Sequence, residues 1–141
     1  MNRLVLDASI TLSWFLPGEL TDKNQEVRKM IEGGVRTSVP SIWALEVVNA
    51  LLIAERRKRI SQADSAAAWA ALQKLPLETD EETGRRAGSD TLALARQQQL
   101  SVYDAAYLEL AMRQGAPLAS LDEVLRDAAL ALKVPLLPHA I

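Results

Sequence analysis

Leu4-Val5-Leu6-Asp7-Ala8-Ser9 joins a short apolar run to an acid and a small hydroxyl residue. Three apolar residues bounded so closely read as a buried strand rather than a helix. The pattern recurs along the chain. Ile10 to Leu16 is apolar until Pro17-Gly18 stops it, and Thr21 to Glu32 sets Val27, Met30 and Ile31 at helical spacing before Gly33-Gly34. Val35 to Val39 reads as a second strand closed by Pro40, and Ile42 to Lys58 as a long helix. Ser61 with Asp64 three residues on forms a capping box for an Ala-rich helix through Lys74. Leu77-Glu78-Thr79 is a third strand, and Asp80 caps a following helix whose middle, around Gly84 and Gly88, has no readable period. Val102 to Gln114 is helical and stops at Gly115, Pro117 to Ser120 is a fourth strand, Asp122 to Leu132 a last helix, and Val134 to Leu137 an edge strand. Strands alternating with longer helices predict an α/β fold, a three-layer α/β/α sandwich with a short, mainly parallel central sheet.

Composition narrows the chemistry. The 141 residues fit one domain, 1–141, large enough to bury a core. No apolar run reaches the ~18 residues that span a bilayer, and Asp7 comes too early for a signal peptide. The expectation is a soluble cytoplasmic protein with no membrane association. There is no cysteine, which removes disulfides, thiolate metal sites and a Cys nucleophile. The single histidine is His139, near the end of the chain. A Ser-His-Asp triad or a His-ligated zinc site has too little to work with, so carboxylates are the natural carriers of any hydrolytic chemistry.

Glu46 is the most informative of them. From Ile42 to Ala54 only Glu46 and Asn49 are polar, and their spacing puts both on one helix face. A helix apolar nearly all round reads as buried, and a carboxylate inside it needs a cation or hydrogen-bond donors. A structural carboxylate satisfied by a nearby Arg is the plain alternative; function is favoured because perturbed carboxylates gather at active sites. Asp104 lies in the apolar start of its helix and could equally be an acid favoured by the helix dipole. Glu109 and Arg113 read as an exposed pair four apart, turned roughly 140° away from Asp104. Asp7 and Asp122 each follow a strand and precede a helix, where an N-cap aspartate sits. Ser9 and Ser120 are, taken alone, turn or capping residues.

Together the four acids weigh more. In a parallel sheet, groups just beyond the strand ends converge on the ligand crevice. Carboxylates crowded there repel unless hard cations lie among them, and oxygen-only ligands suit Mg2+ or Mn2+. Such a site lowers the pKa of a water and neutralises a phosphodiester.

Leu-Val-Leu-Asp-Ala-Ser at 4–9, Glu46 with Asn49, Tyr-Asp-Ala-Ala-Tyr-Leu at 103–108 and Leu-Ala-Ser-Leu-Asp at 118–122 resemble, in order and spacing, the PIN-domain family. The closer likeness is to VapC-type toxins of toxin–antitoxin pairs, and it covers essentially the whole chain. The resemblance implies a PIN-like fold and a metal-dependent endoribonuclease, the toxin of a type II pair. It implies that Asp7, Glu46, Asp104 and Asp122 form the acidic metal site, with Asp7 and Asp104 the most direct ligands. Ser9 and Ser120 match hydroxyl positions that steady that site, and Asn49 a polar position beside the acidic helix residue. A homodimer and a cognate antitoxin, whose C-terminal segment covers the site, are also implied.

The net charge of −2 is less awkward for an RNA enzyme than it looks, since setting aside the four acids leaves fourteen acids against sixteen bases. Local field governs the approach of phosphate. Arg56-Arg57-Lys58-Arg59 reads first as the solvated last turn of the long helix, with RNA or an acidic partner as the alternative. Trp14, Trp43 and Trp69 read as packing residues rather than base-stacking platforms. Three other readings compete. A phosphorelay receiver clusters acids beyond parallel strands but wants a lysine after a late strand, and Lys133 precedes one. A haloacid-dehalogenase-like phosphatase wants a second acid where Ser9 stands. A PIN-like module kept only for partner binding would show tight binding with no metal affinity.

Overall fold

The strands of the computed structural model, which describes residues 2–140, are β1 (Arg3–Leu6), β2 (Arg36–Val39), β3 (Leu77–Thr79), β4 (Leu118–Ala119) and β5 (Leu136–Leu137). They form a sheet in the order β3-β2-β1-β4-β5, and every pairing is parallel. The helices are α1 (Ala8–Ser13), α2 (Asp22–Glu32), α3 (Trp43–Arg56), α4 (Gln62–Gln73), α5 (Thr83–Arg86), α6 (Leu92–Gln98), α7 (Val102–Gln114) and α8 (Glu123–Ala131). A π-helical turn, Ala87–Thr91, joins α5 to α6.

β1 is the middle strand because Leu4, Val5 and Leu6 are apolar on both faces and fully buried. Each such side chain contributes roughly 1.5–3 kcal/mol by leaving water. From β1 the chain winds through β2 to β3 in one direction, then returns to the other side of β1 and continues from β4 to β5. Right-handed crossovers put the helices of the two directions on opposite faces. Between β1 and β4 the connections therefore diverge, which opens a crevice beyond the strand ends. Asp7 follows β1 there, and Ser120, Leu121 and Asp122 follow β4.

Local chemistry fixes the element ends. Ser61 and Asp64 make the reciprocal capping box of α4, and Thr21 caps α2 by accepting the Asn24 N–H. Gly115 ends α7 in the left-handed conformation (φ 61), where a side chain would be strained.

Four expectations need correction. α3 is not buried all round: Leu45, Val48, Leu52 and Ile53 face solvent, Leu45 at 75% exposure, so the helix packs one side and leaves an apolar stripe on the other. Glu109 and Arg113 are not an exposed pair. Their side chains are 7% and 17% accessible, because Arg113 also clamps Asp80 across 2.7 Å. Asp80 does not cap a helix, since Glu82 holds that position and Asp80 sits in the turn before it. Finally, the receiver alternative fails on topology, because a receiver sheet runs 2-1-3-4-5 and here β4, not β3, lies beside β1. The tryptophans do pack: Trp14 donates to the Asn24 carbonyl, and Trp43 lies against Trp69 with ring centroids 6.3 Å apart.

Candidate active site

Asp7 is buried where β1 runs into α1, at the N-cap position but without a capping hydrogen bond from its side chain. Its carboxylate is held from two sides. Ser9 Oγ donates to Oδ2 at 2.6 Å, and Ser120 Oγ donates to the same oxygen at 2.7 Å. Each hydroxyl is itself oriented by a backbone donor, Leu121 N–H on Ser9 Oγ at 2.8 Å and Asp122 N–H on Ser120 Oγ at 3.1 Å. The two serines thus stitch the end of β1 to the end of β4, and neither uses Oδ1. Burial pushes the Asp7 carboxyl above its usual range. The two serine bonds pull the other way, and the charge of Asp122 adds to the rise.

Glu46 projects from the first turn of α3 and is partly buried. Tyr107 of α7, itself fully buried, donates its hydroxyl to Glu46 Oε1. Burial raises the Glu46 carboxyl, the Tyr107 bond opposes this, and the charges of Asp7 and Asp104 add to it. Burial, the charge of Asp7 and the bond and charge of Glu46 keep the Tyr107 phenol far above its ordinary range, so it stays a neutral donor.

Asp104 lies in the first turn of α7, whose N-cap Ser101 accepts the Asp104 N–H. Its carboxyl is pushed up to about 6, by burial first and then by the charges of Asp122 and Asp7. Asp122 is exposed and caps α8, Oδ1 accepting the Leu125 N–H at 2.9 Å. The capping role read for it is real, and its charge still acts on Asp7 and Asp104.

The sheet crevice and the N-termini of α3 and α7 therefore bring Asp7, Glu46, Asp104 and Asp122 within electrostatic reach of one another, with Ser9 and Ser120 at Asp7. Asn49 follows Glu46 by three residues on α3. It is exposed on α3 beside Val48 and Leu52, with no side-chain hydrogen bond among the described residues. Two contributors were missed by sequence reasoning. Tyr107 is one; its spacing of three from Asp104 on an apolar helix was the available signal. Arg126 is the other, a buried guanidinium on α8 that donates to the Ser120 and Pro138 carbonyls, each at 2.9 Å, and so holds the strand end carrying Ser120.

None of the ion pairs among the described residues involves any of the four acids. Clustered carboxylates without a compensating base are the donor set that a hard divalent cation fits. Among the described residues no three acidic or histidine side chains close around one point.

The model of one family, the PIN domain, matches residues 4–130. The chain belongs to the PIN-domain family. Among solved structures, FitAcB from Neisseria gonorrhoeae is similar to this PIN domain at 13% identity and a TM-score of 0.65, over 98% of this chain and 99% of that one. VapBC2 from Rickettsia felis, bound to a DNA fragment from its promoter, is similar at 12% identity and a TM-score of 0.64, over 95% and 96% of the two chains. PAE2754 from Pyrobaculum aerophilum has 22% identity and a TM-score of 0.62, over 89% and 84%. These likenesses establish the fold. No curated protein sequence is similar enough to match.

Proposed function

We propose that this PIN domain is a metal-dependent endoribonuclease, the toxin of a type II toxin–antitoxin pair, which hydrolyses RNA phosphodiesters at the Asp7, Glu46, Asp104 and Asp122 cluster with Mg2+ or Mn2+. The observation that carries the reading is the placement of four acids, unmatched by any base among the described residues, at the topological switch point of a parallel sheet. When bound, a divalent cation there lowers the pKa of a water and neutralises charge on the phosphodiester. Asp7, fixed through Oδ2 by Ser9 and Ser120, and Asp104 are the direct ligands; Glu46 and Asp122 complete the set. The metal-free Asp104 carboxyl is pushed up to about 6 by burial and by the charges of Asp122 and Asp7, so a cation there competes with a proton.

Two similar structures, VapBC2 and a toxin–antitoxin complex from Klebsiella pneumoniae, support an antitoxin as partner. The apolar stripe of Leu45, Val48, Leu52 and Ile53, beginning next to Glu46, supports a face covered by protein, whether antitoxin or the second copy of a homodimer. No described helix is long and apolar enough to cross a membrane; a cytoplasmic location belongs to the proposal, as the place where an RNA-cleaving toxin meets its substrate.

The experiment is cleavage of structured RNA by antitoxin-free protein, wild type and Asp7→Asn, in EDTA, Mg2+ and Mn2+. Cleavage that needs metal and vanishes in the variant supports the nuclease. Equal cleavage by both proteins places the activity elsewhere. If neither cleaves and the wild type binds no Mn2+, the domain is a partner-binding module.

A further inference from the structure

Tyr107 is the largest of the fully buried side chains, yet its hydroxyl reaches a carboxylate that is half open to solvent. It stands three residues after Asp104 on α7, so the two share a helix face. Asp7 also lies close enough for its charge to act on it. The hydroxyl is therefore set between the end of β1 and the start of α3. The α3 backbone has a separate tether, since Trp43 Nε1 donates to Thr11 Oγ1 at 3.2 Å and Thr11 Oγ1 donates to the Asp7 carbonyl at 3.3 Å. One contact thus places the helix and the other places only the Glu46 carboxylate.

We propose that Tyr107 is a positioning residue of the acidic site, whose hydroxyl fixes the Glu46 carboxylate relative to Asp7 and Asp104 for cation binding. This rests on the metal-dependent reading above. Glu46 has three rotatable side-chain bonds and two repelling carboxylates beside it. Without the phenol donor nothing else among the described side chains bonds it, and solvent competes for it. Partners that orient a metal ligand in this way typically change metal affinity ~10–100-fold when removed.

The test is calorimetric Mn2+ binding to the full chain as wild type, Tyr107→Phe, Glu46→Gln and the double variant, with thermal denaturation alongside. Phe keeps the ring in its cavity and removes only the donor. Tyr107→Phe is expected to weaken Mn2+ ~10–100-fold, and in the Glu46→Gln background to change affinity by less than about twofold. Glu46→Asp, which keeps the carboxylate but withdraws it from the hydroxyl, is expected to lose affinity to a similar degree, and serves should Tyr107→Phe fail to fold. Wild-type affinity in Tyr107→Phe or in Glu46→Asp overturns the positioning role alone. So does an equal loss in both Glu46 backgrounds, which would mean the hydroxyl acts on packing. A wild type that binds no Mn2+ overturns the metal reading, and this inference with it.

Discussion

Ser120 Oγ donates to Asp7 Oδ2 at 2.7 Å while accepting the Asp122 N–H at 3.1 Å, so one hydroxyl at the end of β4 holds one acid and orients the backbone of another. Ser9 repeats the arrangement from the β1 side. A buried carboxylate deprived of a donor costs about 1–3 kcal/mol. Ser120→Ala and Ser9→Ala are each expected to lower the unfolding free energy by that amount in urea, and the double variant by more than either. Both serines hold the Asp7 carboxyl down against burial, so the losses deepen as pH rises into the range where Asp7 ionises. Losses that do not change with pH would mean the hydroxyls only fill space.

Asp104 gives the metal-free protein an inverted pH dependence. Its carboxyl is pushed from 3.8 to about 6 on folding. Between those values the folded chain keeps a proton that the unfolded chain has released, so stability falls as pH rises through the window and stays reduced above it. Thermal midpoints in EDTA are expected to drop between roughly pH 4 and 6, and Asp104→Asn to flatten much of that drop. Mn2+ stabilises the wild type chiefly above the window, where the carboxylate is free to bind it. An equal drop in wild type and Asp104→Asn would assign the titration to another group.

Arg126 supplies a different kind of support. Its guanidinium forks between the Ser120 and Pro138 carbonyls in the buried layer beneath the acids. Arg126→Met keeps the stem and orphans both acceptors, at about 2–4 kcal/mol. Arg126→Lys is expected to recover little, because one ammonium cannot reproduce the fork. Urea midpoints decide this, and full rescue by Lys would show that charge alone matters at this position.

The strand pattern was legible because burial on both faces leaves a simple mark, as at Leu4-Val5-Leu6, and the acids because each stands at an element end or in an apolar helix. What stayed hidden was tertiary. Apolar residues on α3 read as core, but an apolar stripe kept for another surface has the same letters as a buried one, and only Leu45 in solvent tells them apart. The π-helical turn around Gly88 follows no period of 3.6 or 2, so no pattern could find it. Tyr107 and Glu46 are sixty-one residues apart, a contact that spacing cannot show. Glu109 and Arg113 obey the rule for an exposed pair, and it was Asp80, at the end of a distant strand, that buried them.

That buried cluster separates stability from function. Arg113 donates to both oxygens of Asp80, at 3.0 and 2.7 Å, and to both of Glu109, each at 3.0 Å. Asp80 is held below the usual carboxylate range, chiefly by the Arg113 bond. Removing the guanidinium leaves two poorly solvated carboxylates facing each other, a loss of about 3–5 kcal/mol for a buried network. Arg113→Met is expected to be destabilised to that degree, and Asp80→Asn with Glu109→Gln in the same chain to recover most of it, since the repulsion goes with the charges. Neither Asp80 nor Glu109 is among the charges acting on Asp7, Glu46 or Asp104. Mn2+ affinity of the folded variants should therefore stay within about twofold of wild type, as for independent sites. A large change in affinity would mean that the clamp on α7 also sets Asp104 and Tyr107, and that the far end of the helix belongs to the site.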